Sequence, residues 1–346
     1  MAKGERLEFV PPHDEAWQAF VASLPDANIF HATAWMDLLN TCYGYRYFVL
    51  VSRDAGGSIT AGLPFMDVKS WLTGRRWVAL PFSDYCTPLA HDAASLERWT
   101  DALVRLSQAP GTPWIEVRWA LPARQPIAAG TSYVLHRLPL CPNTEQVGRA
   151  LDSMHRQNIR AARRNGVRVE YGADEDDMRR FYTLHLETRR RKGMPVQPWR
   201  FFRLLHEKII CSHHGFVLLA YQGDTCLAGG VFLHWGESLM CKYAASREDT
   251  LDLRPNNLLF WTGICWGCEH GYRVLDFGRT DLANTGLREF KTRWGAVETP
   301  LVYSMLGGRQ RAAGTGRVMK WMQAIIRRSP PRVASLTGEL LYRHVG

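Results

Sequence analysis

The chain has 346 residues, 46% hydrophobic and 22% charged, enough to bury a core and to form about two domains. No apolar run approaches the roughly 20 residues that span a bilayer, and the opening MAKGERLEFVPP lacks an apolar signal core, so residence in the cytoplasm is expected. Forty-three basic against 33 acidic residues leave a net charge of +10, and eight scattered cysteines without a disulfide framework fit a reducing compartment.

The N-terminal pattern predicts a strand over 6–10 and helices over 13–24 and 31–39, whose apolar positions recur at three and four. From Tyr47, YFVLVSRDAGGSITAGLPF reads as a hairpin. GRRWVALPFSDYCTPLA gives a strand and a proline-punctuated loop, 95–106 a helix and 114–119 a strand, and LPLCPNTEQ marks a linker near residue 140. Beyond it the pattern predicts a helix over 145–165 stopped by Asn165-Gly166, then VRVEYG, a helix over 174–192, the loop MPVQPW and a helix over 199–210. A second hairpin, GFVLLAYQGDTCLAGGVFL, starts at Gly215 and is followed by KYAAS, a helix with Asn256 and Asn257 near its start, the strand RVLDFGR and the segment GLREFKTRWGA.

The two hairpins are one pattern written twice, and each is followed by a helix, a glycine and a short strand carrying an acid, Glu116 in GTPWIEVRW and Asp276 in GYRVLDFG. The expected architecture is α/β or α+β: a duplicated pair of domains, 1–140 and 141–306, with the site in a central cleft. Residues 307–346 form a basic tail. From Gly307 onward eight basic residues face one acid, Glu339, and two apolar stripes (Val318, Trp321, Met322, Ile325; then Val333, Leu336, Leu340) suit docking on the body or lying on an anionic membrane.

Within the body the most basic stretch is SMHRQNIRAARRNG. Arg156, Arg160 and either Arg163 or Arg164 line one helix face, and arginines stacked without carboxylates are best tolerated when an anionic partner such as a phosphate arrives. Cys265 and Cys268 form an isolated CxxC, read as packed thiols, and the cluster His206, Cys211, His213, His214 has no defensible ligand spacing, so no metal site is expected. Arg311, Gly314 and Gly316 match a loose phosphate-cradling pattern, but after the duplicated body they read as a linker.

The blocks GLPFMDVKSWLTGRRWVALPF, SMHRQNIRAARRNGVRV, YAAS with PNNLLFW, and LDFGRTDLANTGLREFKTRWGA resemble the FemAB-like proteins, tandem GNAT-fold acyl- and aminoacyltransferases, with a likeness to the branch associated with exosortase and exopolysaccharide loci. The resemblance covers roughly residues 6–306 and is most specific in the DFGR and FK..WGA block. It implies two GNAT-like domains, an amine acceptor on the first and an activated acyl donor near the second. That donor, aminoacyl-tRNA or an acyl thioester, is a co-substrate, and no other cofactor is implied. The implied partners are aminoacyl-tRNA and a small peptide-like or amino-sugar acceptor, with a peripheral membrane contact through the tail.

Amide formation passes through an oxyanion that needs a fixed positive charge or hydrogen-bond donor. The resemblance puts Lys291 there or on donor phosphate, with Asp276 either in an ion pair with Arg279 or Lys291 or deprotonating the incoming ammonium. Tyr243 either orients the acceptor or packs as an ordinary tyrosine. Arg156, Arg160, Arg163 and Arg279 are the donor-binding candidates, and Asp84, Tyr85, Trp35, Lys69 and Asn256 the acceptor-binding candidates.

Overall fold

The computed structural model describes residues 7–70, 74–172 and 174–307, so the two tail stripes and the Arg311 to Gly316 linker lie outside the described residues. The described chain falls into two compact units, one of residues 7–134 with 300–307 and one of residues 135–299. The linker near residue 140 lies just inside the second unit, and residues 300–306 belong to the first.

The first unit contains β1 (Glu8–Val10), α1 (Glu15–Ser23), α2 (Thr33–Tyr43), β2 (Arg46–Arg53), β3 (Ile59–Ser70), β4 (Gly74–Val78), β5 (Leu89–Ala90), α3 (Ala93–Ser107) and β6 (Trp114–Val117). Next comes β7 (Ala128–Pro139), whose second half opens the other unit. That unit continues with α4 (Thr144–Ala150), α5 (Ser153–Arg164), β8 (Arg168–Gly172), α6 (Glu175–Arg191), α7 (Trp199–Leu205), β9 (Gly215–Gln222), β10 (Thr225–Trp235), β11 (Ser238–Ser246), α8 (Pro255–Glu269), β12 (Val274–Asp281) and α9 (Thr285–Arg293). The last strand, β13 (Val297–Leu306), returns to the first unit.

Strand order in the first unit is β1-β2-β3-β4-β6-β13, with β5 beside β3, and in the second it is β8-β9-β10-β11-β12-β7. The correspondence is one to one, with the sixth place filled by the strand that follows in sequence from the other half. Both hairpins sit in like register, Phe48 opposite Phe65 and Phe216 opposite Phe232. Their shared Ala-Gly has one physical cause. A Cβ on Gly62 would lie 2.7 Å from the Trp17 ring of α1, and one on Gly229 would lie 3.0 Å from the Phe181 ring of α6. Each glycine lets a helix of its unit press an aromatic ring onto the sheet.

Strands β5, β7 and β13 escape the sequence reading, and one helix is divided. Over 145–165 the chain breaks into α4 and α5 because the Asp152 side chain accepts from Met154 N at 2.8 Å and starts a new helix. The 199–210 helix ends its regular course at Leu205 and closes with a wide π-type turn, His206–Ile210. The second core centres on Phe232, Leu259, Ile264, Leu275 and Trp294. No helix among the described residues is long and apolar enough to cross a membrane.

Candidate active site

The second unit's sheet splits at its middle. Strands β11 and β12 pair in parallel only from Ser238 opposite Val274 to Met240 opposite Asp276, and both then run on unpaired to each other. At the parting, β11 carries a bulge: Tyr243 faces Val231 and Cys241 faces Phe232, leaving Lys242 as the extra residue. On the other arm Gly278 takes φ +68°, a conformation that costs glycine little. Asp276, 0% exposed at the vertex, accepts from Gly278 N at 2.6 Å through Oδ1 and lies 3.4 Å from Arg137 Nε through Oδ2. Arg137, on β7, gave no signal in the sequence.

Lys291 is buried, 6% exposed, beneath this bend. Its Nζ donates to the carbonyls of Phe277 at 2.6 Å, Gly278 at 3.0 Å and Arg279 at 3.5 Å. An ammonium has three donors, and here they converge on the turn, so the lysine fixes the bent arm of the fork. Beside it, His136 Nε2 lies 3.1 Å from Glu298, which also takes Arg288 in a fork at 2.7 and 2.9 Å. Burial first, and then the Lys291 charge, push the His136 imidazole below its ordinary range. Tyr243 packs at centroid distances of 5.3 Å from Phe202 and 5.7 Å from His185.

Downstream of β11 a pocket of about 320 Å³ opens where α5, α8 and α9 meet. Met154, His155 and Asn158 come from α5, Arg254 to Asn257 from the start of α8, and Glu289, Phe290 and Arg293 from α9. Helix α8 begins without a side-chain cap: Arg254 is left-handed (φ 61°), Pro255 supplies the first turn, and Asn256 Nδ2 reaches back to Ser246 Oγ at 3.1 Å. The helix dipole favours an anion there. Arg254 is exposed and makes no ion pair or side-chain hydrogen bond among the described residues, whereas Arg293 pairs with Glu289. Sequence reasoning missed Arg254, Arg293 and His155. Its closest signal was Asn256 and Asn257 at the helix start.

Residues 150–292 match the family model described as acetyltransferase (GNAT) domain, a stretch that holds the fork and all of the pocket but Arg293. The second unit carries a GNAT acyltransferase domain. No curated protein matches the chain. Among solved structures, FemX is similar at 14% identity over 86% of this chain and 96% of its own, with a TM-score of 0.64. The C-terminal domain of a putative lysylphosphatidylglycerol synthetase from Agrobacterium fabrum is 14% identical over 90% of this chain and 95% of its own (TM-score 0.56). L-PGS from Bacillus licheniformis is 12% identical over 92% and 98% (TM-score 0.54). At these identities the likeness is one of fold.

Within the GNAT domain the expected arginine face divides. Arg156 Nη1 donates to Arg149 O at 3.0 Å and to Leu151 O, tying the end of α4 to α5. Arg160, Arg163 and Arg164 are exposed and meet no carboxylate among the described residues. By helical geometry Arg160 and Arg163 lie roughly on the far side of α5 from Met154 and Asn158, and Arg164 about a quarter to a third of a turn away. Arg279 is half-buried on β12, its carbonyl turned to Lys291.

The remaining acceptor candidates belong to the first unit. Trp35 is 0% and Tyr85 4% exposed, and both rings pack on Phe30, so they build the core and present no binding surface. Asp84 is partly exposed, its carbonyl accepting from Tyr303 OH at 2.6 Å, and Lys69 is exposed on β3 opposite Arg75. Asn256 instead lines the pocket of the second unit. Among the described residues no group of His, Cys, Asp and Glu is placed to hold a metal ion.

Proposed function

We propose that the protein forms an amide bond by transferring an amino acid from aminoacyl-tRNA to the amino group of a peptide-like or amino-sugar acceptor. In this reading residues 1–140 form the acceptor domain and residues 141–306 the donor domain. The carrying observation is α5 itself: its first turns line the pocket and its last turns present Arg160, Arg163 and Arg164 without carboxylate partners. Such a helix suits a donor whose acyl end enters a small pocket while its polyanionic remainder stays outside. The name lysylphosphatidylglycerol synthetase, borne by a protein of similar fold, lends support to aminoacyl transfer.

In the reaction the neutral amine attacks the ester carbonyl, a C–N bond forms, the C–O bond to the ribose breaks, and the amine proton ends on the leaving hydroxyl. The bulge at Lys242 marks the β11 arm of the fork, beside which the reacting groups would sit. Lys291 supports the opposite arm through its carbonyls.

The description of the matching family model as an acetyltransferase domain favours a second reading, an acyl-CoA or acyl-carrier thioester donor acting on a cell-envelope or exopolysaccharide precursor. Filter binding of the purified protein with charged bulk tRNA, beside acyl-CoA, at two salt concentrations separates them. Salt-sensitive retention of aminoacyl-tRNA, lost in the double variant Arg160→Ala, Arg163→Ala, supports the first. Retention of a CoA species with no preference for charged tRNA overturns it in favour of the second.

A further inference from the structure

The pocket has a buried hinge pin. His155, 3% exposed, leaves α5 and reaches both other helices: Nε2 lies 3.3 Å from the Phe290 carbonyl of α9, and Nδ1 lies 2.7 Å from Asn257 Nδ2 of α8. Its ring stacks on Trp294 at 4.2 Å and 18° and meets the edge of Phe290 at 5.3 Å and 89°. A carbonyl only accepts, so Nε2 must carry the proton, and neutral Nδ1 is left to accept from the Asn257 amide. One flat ring thereby supplies a donor at one edge, an acceptor at the other and a stacking face, which no other side chain combines at this size.

We propose that His155 is a positioning residue of the donor pocket, holding the first turn of α8 in register with α9 through Asn257 and Phe290. The proposal rests on the donor reading of the pocket. The grip matters because α8 has no side-chain N-cap of its own: between Arg254, in its left-handed conformation, and the buried body of the helix, the bonds from Asn256 to Ser246 and from Asn257 to His155 set where the first turn sits. Loosening that turn moves Arg254 and Asn256, which line the pocket, without touching the fork at Asp276. Burial holds His155 below its ordinary range, with Asp152 raising it and Arg293 lowering it.

Three variants of the full chain test this. His155→Phe keeps the ring stack and removes both hydrogen bonds; His155→Gln keeps a donor and an acceptor and removes the stack; Asn257→Ala breaks the grip from the other side. Amide hydrogen exchange over residues 256–259 reads the turn directly, and filter binding with charged tRNA and with acyl-CoA reads the pocket.

The Phe and Ala variants are expected to speed exchange in this turn about ten-fold, with the end of α8 unchanged, and to weaken retention of the donor about ten-fold. The Gln variant is expected to recover most of both. Wild-type exchange in Asn257→Ala overturns the proposal, whether or not His155→Phe folds. Faster exchange with unchanged affinity for both donor probes upholds the pin and counts against the donor reading.

Discussion

Glu116 and Asp276 occupy the same place in the two units: each is the last residue of a three-pair parallel ladder, Glu116 opposite Val78 and Asp276 opposite Met240. Their surroundings differ in a way that predicts different penalties. Glu116 serves Arg118, 3.0 Å from its Nε, and stands near Arg76; these two arginines are 7% and 5% exposed. Asp276 meets Arg137, whose side chain is 40% exposed and can hydrate. Glu116→Gln leaves two buried cations short of a carboxylate and is expected to cost about 3–5 kcal/mol, as for a broken buried pair. Asp276→Asn keeps the bond to Gly278 N and is expected to cost about 1–3 kcal/mol. Urea denaturation of the two variants checks the order, and equal losses would contradict it.

In the sequence reading Lys291 acts on an oxyanion or on donor phosphate, and its carbonyl partners recast how its loss would register. Lys291→Met leaves the carbonyls of Phe277 and Gly278 without their donor inside the fold, at about 1–3 kcal/mol for each group left unsatisfied. Transfer and thermal stability are expected to fall together, and Lys291→Arg to restore neither, because a planar guanidinium does not converge three donors on one turn. Lost turnover with an unchanged melting temperature would return the lysine to direct contact with substrate.

The sequence made the duplication legible because hairpin period, the Ala-Gly step and the acid after the parallel strand all recur, and each has a local cause. Sixth strands were not legible: β7 and β13 each follow one half and complete the sheet of the other, which no local pattern records. The site divided along the same line. Asp276 and Lys291 lie 15 positions apart and meet around one turn, whereas the pocket draws on residues 154–158, 251–257 and 286–293. His155 hid within a run of arginines, and its importance comes from Asn257 and Phe290, far along the chain.

Arg254 offers a trade of stability against binding. Its φ of 61° strains a side-chain-bearing residue, and its guanidinium makes no ion pair among the described residues. Arg254→Gly is expected to raise stability by about 1 kcal/mol through relief of the left-handed conformation. The same change is expected to weaken donor binding several-fold by removing a cation from the helix N-terminus. A melting curve and a binding isotherm on one preparation suffice, and a variant that binds donor like the wild type would remove Arg254 from the site.

Histidines held neutral by the fold shape the acid side of the stability profile, three of them strongly. Burial is the first cause in each case, holding His31 and His234 to about 4 and His185 to about 3, against 6.5 for the free side chain. The unfolded chain therefore takes up these protons near pH 6.5 while the folded chain does not. Stability is full well above pH 6.5 and lost as pH falls below it, by about 1.4 kcal/mol per pH unit for the buried His31 and His185 and by less for the half-buried His234, until the folded value is reached. Between pH 6.5 and 5 most carboxylates are still ionised, so urea midpoints at pH 7.5, 6.5, 5.5 and 5.0 isolate this contribution. His31 has both ring nitrogens engaged, Nδ1 accepting from Asn28 N and Nε2 against Thr87 O, so His31→Gln is expected to make the slope shallower by one histidine's share, while His136, His155 and His214 keep adding their own. A stability that stays flat from pH 7.5 to 5 would show that these rings accept protons in the folded state as readily as in the unfolded one.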